Sequence, residues 1–133
     1  MIAVVGASGT IGRRVARFFE EWGAPFVRRD ARLDGAEALD ASDPNAVARA
    51  LDGVSVVVNA ADYRLNVPVM RGALAAGANY VDLGGLYHVT SEQLGLDKEF
   101  RAAGIGALLG MGSAPGKTNL LTAAAAQRLG EEP

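Results

Sequence analysis

The amino-acid sequence predicts a single doubly wound α/β domain, a parallel sheet with helices on both faces, and three observations lead there. Short apolar runs rich in β-branched residues alternate with helix-spaced patterns along the whole chain, as they do in successive βαβ units. Glycines stand where the helical stretches end, before the next apolar run, at the position where a left-handed cap stops a helix. The length of 133 residues suits one core.

Six strands are expected, at Ile2–Val5, Pro25–Arg29, Glu37–Asp40, Val54–Asn59, Asn79–Leu83 and Ile105–Gly110. Ile2–Val5 and Val54–Val58 are apolar nearly throughout, as strands covered on both faces should be. Right-handed crossovers then give the order 3-2-1-4-5-6. Between the first two strands, Ile11, Val15, Phe18, Phe19 and Trp22 fall at helical spacing and Gly23 ends the run. The next helix begins with Asp43 as N-cap and Pro44 at its first position, and Gly53 stops it. Val67, Met70 and Leu74 mark a third helix closed by Gly77, and Phe100 and Ala103 a fourth closed by Gly104. A last helix is expected from near Pro115, carrying Leu120, Leu121, Ala125 and Leu129 toward the sheet.

Composition removes several classes of function. A formal charge of −2 supplies no basic field for a phosphate backbone, so nucleic acid is not expected as a partner. With no cysteine and one histidine, neither disulfides nor a thiolate or histidine-rich metal centre is expected. No apolar run is long enough to span a membrane and no basic leader precedes Ile2, from which a cytoplasmic protein is expected.

The first strand-to-helix loop carries the strongest chemical signal. It reads Gly6-Ala7-Ser8-Gly9-Thr10-Ile11-Gly12, lying directly between a buried strand and an amphipathic helix, the context a dinucleotide-binding turn requires. Gly6 suits the tight turn, Gly9 clears the side chain from the path of a pyrophosphate, and Gly12 lets helix and strand pack closely. The free amides and the helix dipole then face an anion. The spacing G-x-x-G-x-x-G is one residue longer than the commonest form. A Rossmann fold binding a nicotinamide dinucleotide is therefore expected, with Gly6, Ser8, Gly9, Thr10, Ile11 and Gly12 at the pyrophosphate.

The end of the second strand selects between cofactors, because an acid there accepts from a ribose 2′-hydroxyl and an arginine pairs with a 2′-phosphate. Arg28 and Arg29 end that strand and Asp30 follows, 18 residues past Gly12. The two cations favour NADP, with NAD as the alternative. Asp40 and Ala41, at the end of the expected third strand, pass the adenine edge; Asn59, Ala60 and Ala61, closing the fourth, let a ribose or nicotinamide approach.

Other constellations carry less. Gly110 to Thr118 resembles a Walker A loop, but the glycine five places before Gly116 is replaced by Met111, so the spacing fails. Tyr-x-x-x-Lys, the acid of short-chain dehydrogenases, is missing, since Val67, Gly84 and Ser91 follow Tyr63, Tyr80 and Tyr87 at that distance. His88 follows the fifth strand in a loop, Asp82 caps a turn or holds a ligand, and Tyr63 and Arg64 sit at the carboxyl edge. No catalytic residue is assigned.

Four segments, VVGASGTIGRRVA, VVVNAA at Val56–Ala61, NYVDLGGLYH at Asn79–His88 and LLGMGSAPGKTN at Leu108–Asn119, resemble the N-terminal NADP-binding domain of the saccharopine dehydrogenase family, which includes saccharopine reductase-like enzymes. The resemblance runs from end to end. It implies that residues 1–133 hold the nucleotide while a further α/β part, following this one in the parent protein, supplies the substrate pocket and dimer contacts. The implied chemistry is hydride transfer at a carbon bearing an amine, on an amino acid or polyamine precursor, with this chain alone inactive. A non-enzymatic NAD(P)-sensing or assembly module is the alternative.

Overall fold

A computed structural model describes residues 1–130. Five parallel strands form one sheet: β1 (Ile2–Val5), β2 (Phe26–Arg29), β3 (Val56–Asn59), β4 (Asn79–Asp82) and β5 (Ala107–Leu108), in the spatial order β2-β1-β3-β4-β5. The helices are α1 (Thr10–Glu21), α2 (Pro44–Ala50), α3 (Asn66–Ala76), α4 (Tyr87–Leu94), α5 (Asp97–Ala102) and α6 (Lys117–Leu129). This is the doubly wound fold expected. The strand expected at Glu37–Asp40 survives only as a single parallel bridge, Asp30 to Ala38, on the outer side of β2. Gly35–Glu37 coil into a 3-10 turn just before it, which uses up the residues that would have extended the pairing.

The core follows from the apolar runs. Ala3 and Val5 of β1, Val57 of β3 and Tyr80 of β4 are buried with Val47 and Leu51 from the α2 segment and Val69, Met70 and Ala73 from α3. Burying each large side chain of this kind contributes about 1.5–3 kcal/mol. Asp43 caps α2 through the Asn45 amide at 2.9 Å, with Pro44 at the first helical position. Gly77 closes α3 with a left-handed φ of 70°. Among the described residues no helix is long and apolar enough to cross a membrane.

Three helices differ from expectation. In α1 the buried line is Gly12 and Ala16, with Val15 and Phe19 packed beside it. Close approach to the glycine turn draws the smallest side chains to the sheet, and Ile11, Phe18 and Trp22, about a third of a turn away, face solvent. His88, expected in a loop, lies in the first turn of helix α4, which Tyr87 opens. The last helix, α6, starts at Lys117 and buries none of its residues, so Leu120, Leu121 and Leu129 are exposed instead of facing the sheet.

Candidate dinucleotide-binding site

Register brings the site together. Val5 of β1 stands opposite both Arg29 of β2 and Asn59 of β3, so the next residues, Gly6, Asp30 and Ala60, emerge side by side at the carboxyl edge. Chain direction over the sheet reverses between β1 and β3, the position where doubly wound folds bind ligands. A cleft of about 290 Å³ opens there, lined by Gly6 and Gly9, Asp30 and Arg32, Asp40 and Ala41, and Ala60 and Ala61.

The turn is built for close approach. Gly6 has φ 78°, and a Cβ on it would lie 2.6 Å from the Ala61 nitrogen. A Cβ on Gly12 would press into the Gly6 carbonyl, with Ala7 Cα at 2.8 Å. The Gly6 amide donates to the Arg29 carbonyl at 2.9 Å and the Gly9 amide to the Gly6 carbonyl at 2.9 Å, which fixes the loop. Gly9 is the N-cap of α1 and offers no side-chain acceptor. The amides of Thr10, Ile11 and Gly12 therefore find no partner among the described residues, and with the helix dipole they present a seat for an anion.

Asp30 is 7% exposed and fully engaged. Its Oδ2 accepts from the Ser8 amide at 2.9 Å, and its Oδ1 from the Arg32 amide at 3.0 Å and Arg32 Nε at 3.2 Å. Burial alone would raise its pKa, but the hydrogen bonds from Arg32 and Ser8, with the guanidinium charge, outweigh that and hold the carboxyl below its usual range. The same contact raises Arg32. A longer contact from Arg32 Nη2 to Oδ2 at 3.4 Å takes the fourth acceptor site, so a ribose hydroxyl would have to displace Arg32 from the carboxylate.

The residues expected at the cofactor separate into groups. Gly6, Gly9, Asp30, Asp40, Ala41, Ala60 and Ala61 line the cleft. Thr10, Ile11 and Gly12 offer the free amides. Ser8 lies on the outer side of the turn beside Arg13 and Arg28, where its buried hydroxyl has no hydrogen-bond partner. Asn59 is buried beneath the cleft and holds the Ala61 amide through Oδ1 at 3.2 Å. Arg28 pairs with Glu20 and lies over the Phe26 ring, and Arg29 turns to the Ala50 carbonyl at 3.1 Å; neither lines the cleft.

Sequence reasoning passed over Arg32. Its signal was the spacing Asp30-x-Arg32, which allows the aspartate to accept from the amide two residues on and folds the arginine back over the cleft. Arg32 Nη2 comes within 3.8 Å of where a Cβ on Gly9 would stand. Asp40 at the far wall accepts from the Ser42 hydroxyl at 2.6 Å and the Ser42 amide at 2.9 Å, contacts that lower its pKa. The residues fit a nicotinamide dinucleotide: glycines clear the pyrophosphate's path, free amides meet its charge, and the unpartnered Ser8 hydroxyl and the exposed Arg32 guanidinium flank the turn.

Fold and cleft thus define a Rossmann domain of the dinucleotide-binding class. The family model for the saccharopine dehydrogenase NADP binding domain matches residues 31–108, more than half of the chain, and the chain belongs to that family. NADP, the cofactor in the family's name, is the one the sequence favours. The match begins at residue 31, beyond β2, so the glycine turn is an independent observation.

Among solved structures, the chain is similar to the apo, histidine-tagged saccharopine dehydrogenase (L-Glu forming) from Saccharomyces cerevisiae, with a TM-score of 0.71 at 17% identity over 96% of this chain and 30% of that one. An NADPH-dependent quinone oxidoreductase from Escherichia coli, complexed with NADPH, matches with a TM-score of 0.59 at 21% identity, covering 82% and 47% of the two chains. A short-chain dehydrogenase/reductase superfamily protein from Agrobacterium tumefaciens with bound NAD gives 0.53 at 24% identity, covering 64% and 32%. The chain spans less than half the length of each. At these identities the likeness establishes the shared fold.

Proposed function

We propose that this chain is the cofactor-holding domain of an NADP(H)-dependent oxidoreductase acting at a carbon bearing an amine, on an amino acid or polyamine precursor. The observation that carries the reading is the row of free amides at Thr10–Gly12 facing a glycine-cleared cleft, with Arg32 at its rim. The pyrophosphate lies on those amides, Asp40 and Ala41 flank the adenine, and Arg32 exchanges Asp30 for the 2′-phosphate. When bound, the nicotinamide supplies hydride transfer. The part of the protein that binds substrate and completes a homodimer lies outside residues 1–133, and the whole works in the cytoplasm.

Two measurements test this. Arg32→Ala should weaken NADPH binding by roughly tenfold to a hundredfold, the scale of one lost charge-assisted contact, and leave NADH binding unweakened. Equal losses for both nucleotides would refute the assignment of Arg32. A polypeptide joining this domain to the remaining parts of its parent should reduce NADP⁺ with an amine-bearing amino acid, followed by absorbance of the reduced nicotinamide. Reduction only with alcohol substrates would refute the substrate class.

A further inference from the structure

Beneath the cleft lies a polar chain that the cofactor site as described does not use. Asp82, Tyr80, Asn59, Asn66 and Gln93 are all buried to 2% exposure or less. Among the described residues no lysine or arginine forms an ion pair with the Asp82 carboxylate. It accepts instead from Gly84 and Gly110 amides at 2.9 and 2.8 Å, the Tyr80 hydroxyl at 3.1 Å and Gln93 Nε2 at 2.6 Å.

The chain then runs toward the cleft. Asn59 Nδ2 donates to the Tyr80 hydroxyl at 3.3 Å and to Asn66 Oδ1 at 2.9 Å, and Asn59 Oδ1 accepts from the Ala61 amide at 3.2 Å. Ala61 is the wall that faces Gly6 with no room for a Cβ between them. Asn59 and Asp82 are register partners across β3 and β4, and Tyr80, two residues before Asp82, shares its face. One line of hydrogen bonds therefore connects the loops after β4 and β5 to the backbone that sets the cleft's width.

We infer that Tyr80 and Asn59 are positioning residues for the dinucleotide, anchored on Asp82: they hold the Ala60–Ala61 backbone at the height the nucleotide needs over Gly6. Neither side chain touches the cleft space. Burial, then the Asp82 charge, push the Tyr80 phenol above its ordinary range, so it stays a donor to Asp82 while it accepts from Asn59. This inference rests on the proposed binding of NADP(H), and wild-type titration tests that binding separately.

The experiment compares wild type, Tyr80→Phe and Asn59→Ala by calorimetric titration with NADPH, well below each variant's melting temperature, alongside hydrogen exchange of the Ala61 amide. Tyr80→Phe keeps the ring and removes only the hydroxyl; Asn59→Ala cuts the link at its other end should the first variant not fold. The expected result is an NADPH Kd raised about tenfold, the scale of one buried hydrogen bond, with faster exchange at Ala61. A role in stability alone lowers the melting temperature and leaves the folded protein's Kd unchanged; that outcome, in whichever variant folds, overturns the inference. Failure of the wild type to bind NADPH would instead refute the proposed function.

Discussion

Gly12→Ala asks the most of the glycine turn. An added methyl would meet three backbone atoms: the Gly6 carbonyl oxygen, in hard overlap, Gly6 C at 2.7 Å and Ala7 Cα at 2.8 Å. Carbon atoms rest at about 3.5–4.0 Å, so even the last contact must open by about 0.7 Å, and no flexible side chain is there to yield. Overpacking of this kind costs about 1–3 kcal/mol, and the better helix propensity of alanine returns about 1 kcal/mol. With rigid backbone on every side the cost lies at the upper end of that range, so the net loss is about 2 kcal/mol, a fall in melting temperature of roughly 7 °C at 133 residues. Opening the turn also displaces the Thr10–Gly12 amides, and NADPH affinity should drop by more than about tenfold. Thermal melting by circular dichroism and calorimetric titration measure both. Gly106→Ala is the control, because its nearest neighbour, Asn79 Oδ1, is at 3.7 Å, and it should stay within about 0.5 kcal/mol of wild type. A Gly12→Ala protein with wild-type melting and wild-type NADPH affinity would refute the reasoning.

Other outcomes follow from the same geometry. Asp30 has a depressed pKa in the folded chain, so its contribution is complete above its ordinary value of 3.8 and is lost as pH falls through the lower folded value. Asp30→Asn should therefore be less stable than wild type near neutral pH, with the gap closing below about pH 4; a gap that widened in acid would contradict the assignment. Ser8→Ala removes a hydroxyl without a protein partner and should leave melting within about 0.5 kcal/mol of wild type. Trp22, the chain's one tryptophan, is 74% exposed and remote from the cleft, so its emission should be that of a solvated indole and should not shift on NADPH addition. A large blue shift on binding would place the ligand elsewhere.

What could be read from sequence was local. The glycine turn was legible because strand, three glycines and the start of the helix lie within a dozen residues, although the contact that requires Gly6, with Ala61, comes from outside that span. Strands β1 and β3 were legible because burial on both faces writes nearly continuous apolar runs. The β2 edge was harder. Arg28 and Arg29 read as adjacent cations, yet alternation along a strand sends them to opposite faces, one to Glu20 and the other to Ala50. Arg32 reached the cleft because Asp30 bends the chain back, a contact that spacing permits but does not impose.

The helix faces were misread where packing overrode periodicity. In α1 the need for close approach at Gly12 chose the small residues over the large ones. In α6 the leucines have spacing enough for a buried stripe but nothing among the described residues to bury it. The relay beneath the cleft was invisible, since it depends on the register that sets Asn59 beside Asp82, 23 positions apart. Asp82 and Asn59 stood out in the sequence; the hydrogen bonds that join them through Tyr80 did not.

Calorimetric titration of the wild-type chain with NADPH and with NADH, at one moderate salt concentration, tests the central claim most directly. The account predicts a single site for NADPH, bound about tenfold or more tightly than NADH. Absence of binding to either nucleotide, or a preference for NADH, would contradict it.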